Sequence, residues 1–216
     1  MQYKFLARHW ANNKIKFVTV SEWEKFIMNF PNQIESERII LERPYPVTKE
    51  LAEEIYKTVM SSREHLHEWL PWATETYSLE DEMSYLKDYC EAHWENGEGF
   101  SYLIREKETK KFLGIIDLIT VNQKHKSTEI GFWLAKDATG KGYMVEAVKA
   151  LENEAFKQGL NRVVIKNDTQ NIASANVSKN AGYHLDGVLR QERWSELKNR
   201  FRDTNVWSKL KSDETK

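Results

Sequence analysis

The stretch "EIGFWLAKDATGKGYMVEA", residues 129–147, constrains the fold of this chain more than any other. Three of only nine glycines fall in it, Gly131, Gly140 and Gly142. They lie between a run with strand alternation and a run with helical periodicity. In the first run Ile130, Phe132 and Leu134 point one way, and Glu129, Gly131 and Trp133 the other. In the second, from 143 to about 158, Met144, Val148, Leu151 and Ala155 form an apolar stripe, and Gly159 fits the C-terminal stop. A glycine-rich turn between strand and helix leaves unpaired N–H groups at the positive end of a helix dipole. That is a ready site for an anion, above all a phosphate.

Two familiar nucleotide motifs do not fit. Walker A needs Gly-Lys followed by Ser or Thr, and here Gly140-Lys141 is followed by Gly142. A dinucleotide fingerprint needs Gly or Ala at the sixth position counted from Gly140, which is Val145. What remains is a short G-x-G turn behind a strand with its own mid-strand glycine, a place where a ligand or second backbone comes close. One extended ligand could lie along the strand with its phosphates at the helix N-terminus. A plain tight turn and a bulge explain the same glycines, and spacing alone leaves both readings open.

Around this stretch the pattern is mixed. Residues 1–34 read as an appendage, with a short strand in "KIKFVTV" and a capping box at Ser21–Glu24 opening a short helix. The main domain is expected over 35–216. In it "ERIILERP" is a strand stopped by proline, and Thr48 caps a helix with Leu51, Ile55 and Val59 on one face. Ser61 and Glu64 form a second capping box, for a helix ending at Pro71. A third helix spans 79–94 after Ser78 and stops at Asn96-Gly97. "FSYLIRE" and "FLGIIDLITV" flank "KETKK" as a hairpin. After the glycine turn and its helix come the strand "NRVVIKN", the capped helix "NIASANVSKNAGY", and the closing strands "YHLDGVLRQ" and "RFRDTNVWSKL". The order predicts an α+β fold with a mixed, mostly antiparallel sheet flanked by helices.

Composition narrows the function classes. The formal net charge is −1, from 32 basic and 33 acidic residues, without the cation surplus of a bulk nucleic-acid binder. No apolar run approaches the roughly 18 residues of a membrane span, and the N-terminus lacks a secretory apolar core. The single cysteine, Cys90, suits a reducing compartment, so a cytoplasmic protein is expected. No metal motif is present; His65 and His67, two apart on a helix, do not share a face.

"TEIGFWLAKDATGKGYMVEAVKALENEAF", continued by "LNRVVIKNDTQNIASANVSKNAGYHLDGVLRQ", resembles the acetyl-CoA-binding core of the GNAT superfamily, in the ribosomal-protein N-terminal acetyltransferase (RimJ/RimL-like) branch. "IESERIILERP" resembles the family's first strand and "SSREHLHEWLPWA" its acceptor-side helices; the likeness runs from about 34 to 210. It implies the GNAT fold, with acetyl-CoA as co-substrate held in a wedge between two splayed strands. Phe132, Trp133 and Leu134 would line the pantetheine arm. The amides of Thr139, Gly140, Lys141, Gly142, Tyr143 and Met144 would hold the pyrophosphate. Asn171 would contact the arm and Ser174 would lie near the thioester sulfur; the same two residues also suit a helix cap. Asp137 stands where the family often has Gln or Arg, and a carboxylate implicated as base in that branch falls at Arg193, with Glu192 beside it.

The implied reaction is attack of a neutral amine on a thioester. An α-amino group, with a pKa of about 7.7–8.0, loses its proton near neutrality far more readily than lysine at about 10.4. Glu129 is the expected base, with Glu192 second, and Ser174 the donor to the departing thiolate. Trp69 and Trp72 are candidate walls of a peptide cleft, and Glu75, Glu80 and Asp81 candidate attractors for a cationic amine; core packing and a solvated face explain them as simply. A protein or peptide N-terminal α-amine is the expected acceptor. The alternatives are a small-molecule amine (polyamine, amino acid, aminoglycoside) or a non-catalytic acyl-CoA-binding module. Neither nucleic acid nor membrane is an expected partner, and a homodimer is left open.

Overall fold

The computed structural model describes residues 7–11, 14–18 and 28–215. Two short strands, β1 (Ala7–Ala11) and β2 (Lys14–Val18), pair antiparallel as a separate two-stranded sheet. The helix expected at Ser21–Glu24 lies outside the described residues.

The main body begins earlier than residue 35. Met28 and Phe30 are buried in the large core, and the Tyr102 hydroxyl donates to the Pro31 carbonyl at 2.7 Å. A short strand unread in the sequence, β3 (Gln33–Glu35), crosses the expected boundary and pairs with β4 (Ile39–Glu42). Three residues with one inward side chain are too few for alternation to show.

Helix α1 (Lys49–Ser61) starts as its sequence predicts, the Thr48 hydroxyl accepting from the Leu51 N–H at 3.2 Å, with Ala52, Ile55 and Val59 buried. The capping box expected at Ser61 and Glu64 does not form. Ser61 donates instead to the Thr58 carbonyl at 2.9 Å, and Ser62 precedes the short helix α2 (Arg63–His67), which ends before Pro71. Ser78 and Asp81 make a reciprocal capping box on α3 (Leu79–Ser84). That helix passes into a π-helical stretch, Tyr85–Glu91, and then α4 (Ala92–Asn96), which stops at Gly97 with φ +67°.

Strands β5 (Phe100–Glu106), β6 (Phe112–Asn122) and β7 (Ser127–Leu134) form a meander. Helix α5 (Tyr143–Lys157) leads to β8 (Arg162–Asp168), and α6 (Ile172–Asn180) to β9 (His184–Ser195) and β10 (Arg200–Leu210). The sheet order is β3-β4-β5-β6-β7-β8-β10-β9, antiparallel throughout except for β7 beside β8. The final strand therefore inserts between β8 and β9. Both faces of the sheet are covered. One core packs α5 through Met144, Val148, Leu151 and Phe156 against Ile39, Leu41, Ile116 and Ile130. The other packs α1 and the π-helical stretch against Leu103, Phe112 and Ile115. Along β7, Phe132 and Leu134 join the first core and Trp133 the second, matching the alternation read from sequence. Among the described residues no helix is long and apolar enough to cross a membrane.

The second core buries two acids. Asp117 Oδ1 and Glu82 Oε1 have no hydrogen-bond partner among the described residues, and burial pushes each carboxyl up to about 7. Ser101 and Tyr85 partly offset the shift at Asp117, and Tyr77, donating at 2.6 Å, does so at Glu82. A folded-state pKa above the unfolded value means that the folded protein binds the proton more tightly. The stability this supplies is complete below the unfolded value of about 4 and is lost as pH rises to about 7. Asp117→Asn removes the titration, so its stability relative to the parent should rise by roughly 2–3 kcal/mol between pH 5 and pH 8. Urea unfolding at the two pH values measures this, and an offset independent of pH contradicts it.

Candidate functional site

The site begins where two parallel strands part. β7 and β8 pair over Ser127–Ile130 and Arg162–Ile165, with Ile130 opposite Ile165, and no further. Past that point β7 stays bonded to β6, with Gly131 opposite Asp117 and Leu134 opposite Gly114. β8 stays bonded to β10, with Asp168 opposite Thr204. Between them the inner edges of 131–134 and 166–168 face a wedge, and backbone groups sheltered there need a partner. Gly114 makes the outer side possible, since a Cβ there would lie 2.2 Å from the Trp133 carbonyl. At Gly131, by contrast, a Cβ would meet only the tip of Ile119 at 3.9 Å, so the glycine that drew attention in the sequence opens space and relieves no clash.

The wedge leads to the glycine turn. Gly140 and Gly142 have φ of +74° and +83°, values that other residues rarely adopt. Gly142 ends the turn, and the first N–H of α5 to close onto a carbonyl is that of Glu146, onto Gly142 at 3.2 Å. The N–H groups of Tyr143, Met144 and Val145 therefore lie open at the positive end of a 15-residue helix. The Thr139 amide is already bonded to the Lys136 carbonyl at 3.3 Å, so the amide nest runs from Gly140 to Val145 and not from Thr139 to Met144.

Residues distant in sequence hold the turn. Arg38 donates to the Lys141 carbonyl at 3.0 Å and to the Glu146 carboxylate at 2.8 Å, while its own N–H reaches Glu146 at 2.7 Å. Its guanidinium lies 5.0 Å from the Tyr143 ring centroid, and the Tyr143 hydroxyl donates to Glu106 at 2.5 Å. Lys141 and Tyr143, whose amides are the groups expected at the ligand, do not line the cleft with their side chains, and Tyr143 braces the turn from behind. The Ser62 hydroxyl accepts the Lys136 N–H at 3.1 Å, the use found for the serine that caps nothing. Asp137, an acid beside an anion site, is ion-paired with Lys111, whose hydrogen bond holds its carboxyl below the usual range.

The wedge and turn open into one cleft of about 780 Å³. Phe132, Trp133, Leu134, Thr139, Gly140, Gly142 and Met144 line it, and so do Asn171, Ser174 and Glu129. Asn171 also caps α6, its Oδ1 accepting the Ser174 N–H at 3.0 Å; both readings of this residue hold together. Ser174 lines the cleft, and its hydroxyl has no protein hydrogen-bond partner among the described residues. Glu129 is ion-paired with Lys166 at 2.8 Å, and both line the cleft. Glu192 does not: it accepts from the Thr204 hydroxyl at 2.8 Å behind the wall and lies 3.2 Å from Arg193.

At the far end, α2 contributes His65, the turn after it Trp69, and the closing strands Arg193, Arg202 and Thr204. Trp72, expected beside Trp69, instead packs against Tyr77 and Trp133. Glu75 is paired with Arg63 at 2.9 Å and Asp81 is occupied by its capping box, and neither lines the cleft; nor does Glu80. Among the described residues no group of three or more His, Cys, Asp or Glu is placed to hold a metal ion.

Comparison with known proteins fits this geometry. The sequence profile of the Acetyltransferase (GNAT) domain matches residues 38–184. The ribosomal-protein-serine acetyltransferase of Escherichia coli K12 is 26% identical over 157 residues, which cover 72% of this chain and 85% of that protein. In fold, the chain is similar to the microcin C7 self-immunity acetyltransferase MccE, solved with acetyl-CoA and AMP. The TM-score is 0.75 at 24% identity, covering 85% of this chain and 99% of that one. It is similar also to Mycobacterium smegmatis RimJ, solved with CoA-disulfide, with a TM-score of 0.76 at 18% identity, covering 87% and 91%. The domain profile spans well over half of the sequence, from the strand before the first long helix to the start of the closing strands, and this chain belongs to the GNAT acetyltransferase family.

Proposed function

We propose that this protein is an acetyl-CoA-dependent N-acetyltransferase whose acceptor is the α-amine of a protein or peptide. One observation carries the donor half: β7 parts from β8 at Ile130 and the gap runs directly onto the open amides of α5. The fit is in shape and in chemistry. An extended pantetheine arm can pair with the free inner edge of 132–134 as an added strand would, and a pyrophosphate suits the amides from Gly140 to Val145. The acceptor half is supported by the Escherichia coli relative, named for a ribosomal-protein serine. A cytoplasmic site of action fits such an acceptor and a single, buried cysteine.

Bound acetyl-CoA would supply an acyl group activated as a thioester; the chain's own residues do the rest. The inner-edge N–H groups of β7 orient and polarise the carbonyl. Glu129 receives the amine proton as the C–N bond forms, with the Lys166 ammonium fixing where its carboxylate points. Ser174 donates a hydrogen bond to the sulfur as the C–S bond breaks. Glu192 reaches the cleft through Thr204 and Arg193, so it positions the wall and does not touch the reacting atoms.

Free-thiol release measured with peptides, polyamines and aminoglycosides tests the reading. Turnover of peptides with free α-amines, abolished by prior N-terminal blocking, is expected; turnover of small amines alone contradicts it. Ser174→Ala should lower kcat by about 10- to 100-fold and move the KM for acetyl-CoA by less than about 3-fold, because the hydroxyl acts on the leaving group and not on ground-state binding. An unchanged kcat, with chemistry limiting turnover, removes Ser174 from that role. Glu129→Gln should reduce kcat/KM for the peptide by at least about 10-fold. A normal value assigns Glu129 to the Lys166 ion pair alone.

A further inference from the structure

The register of β9 and β10 sets Arg193 directly opposite Arg202. Side chains directly opposite in an antiparallel pair project from the same face, and like charges so placed destabilise it unless they are offset. Both arginines line the outer end of the cleft. Few carboxylates reach them: Glu68 and Glu196 line an adjoining hollow with Arg202, but among the described residues neither pairs with either arginine. Asp168, with its side chain 2% exposed, is held by Arg200 at 3.1 Å and accepts the Gln170 N–H at 2.8 Å; it lies 3.9 Å from Arg202 Nε. That Nε is buried and has no hydrogen-bond partner among the described residues. Among the described residues Arg193 has only the adjacent Glu192, itself engaged by Thr204. Three guanidinium groups therefore share two carboxylates. The other cations nearby have separate partners, Lys166 on Glu129 and Lys198 on Glu68 and the Trp69 ring.

We propose that Arg193 and Arg202 together bind an anionic side chain of the acceptor, so that the preferred substrates are peptides with Asp or Glu within the first few residues after the reactive amine. Each planar guanidinium presents paired N–H donors that match a carboxylate. The sign order along the cleft points the same way. Glu129 lies beside the strand splay where the amine must come, Arg202 sits by Asp168 at the end of β8, and Arg193, 58% exposed, marks the side where a chain can leave. An acceptor with its ammonium ahead and a carboxylate behind complements that order. This specificity rests on the α-amine reading of the acceptor.

The test pairs two peptides that differ only in Asp or Glu against Asn or Gln near the N-terminus, and reads binding by calorimetry separately from turnover by thiol release. The parent protein should bind the acidic peptide at least about 10-fold more tightly, with a similar ratio in kcat/KM. Arg193→Gln, at an exposed position, and Arg202→Gln should each reduce that ratio, and the double variant should bring it to within about 3-fold. Raising salt should shrink it further. Equal binding of the two peptides by the parent overturns the proposal, as does a preference that survives in the double variant. A phosphate-bearing small amine outcompeting both peptides also overturns it. Acid-dependent binding lost in the variants, without acetylation of either peptide, would keep the anion site and remove the α-amine reading. Acetylation of both at equal rates would do the reverse.

Discussion

The function depends on a hydrogen-bond ladder that stops early. After Ile130 and Ile165 the two parallel strands cease to pair, yet neither frays, because each is held from its outer side. β7 is tied to β6 up to the Leu134–Gly114 contact and then by the Ala135 N–H to the Leu113 carbonyl at 2.8 Å. β8 is tied to β10, and the Trp207 indole donates to Asn167 at 2.9 Å. The resulting inner edges are held from behind and unpaired in front, a combination that protein interiors avoid unless a ligand completes it. An edge of this kind is suited to an extended polar chain and poorly suited to a compact ligand.

The anion end depends on different physics. Its amides are generic to any helix N-terminus; what is particular is that nothing caps them. Gly142 has no side chain to fold back, Thr139 is turned onto Lys136, and the first-turn acid, Glu146, is neutralised by Arg38. Charge around the turn is thus balanced by Arg38–Glu146 and Lys111–Asp137 before any ligand arrives. The helix dipole and free N–H groups remain for a phosphate. The contacts of Arg38 to Lys141 and Glu146 tie the start of β4 to the turn, so the binding loop is part of the core scaffold.

Local signals carried most of this into the sequence. Thr48, Ser78 and Asn171 announce helix starts through chemistry within three residues of themselves, and the alternation of Ile130, Phe132 and Leu134 reports a buried face directly. The same local logic misplaced a cap at Ser61, because its neighbour Ser62 is used by Lys136, 74 residues away. Arg38 was silent for the same reason, since its partner Glu146 lies 108 residues on. The acceptor end was least legible. Arg193 and Arg202 face each other only because β10 inserts between β8 and β9 and shifts register beside Arg202, and nothing in either strand's own pattern announces that order. Glu129 was readable as a cleft residue from its strand face, whereas Lys166 beside it required the parallel pairing.

Amide hydrogen exchange of the full chain, with and without acetyl-CoA, tests the central claim most directly. Completion of an open strand edge and an uncapped helix end predicts strong slowing at 132–134 and at 140–145. Saturable binding of acetyl-CoA that leaves both segments exchanging at their free rates would contradict the account.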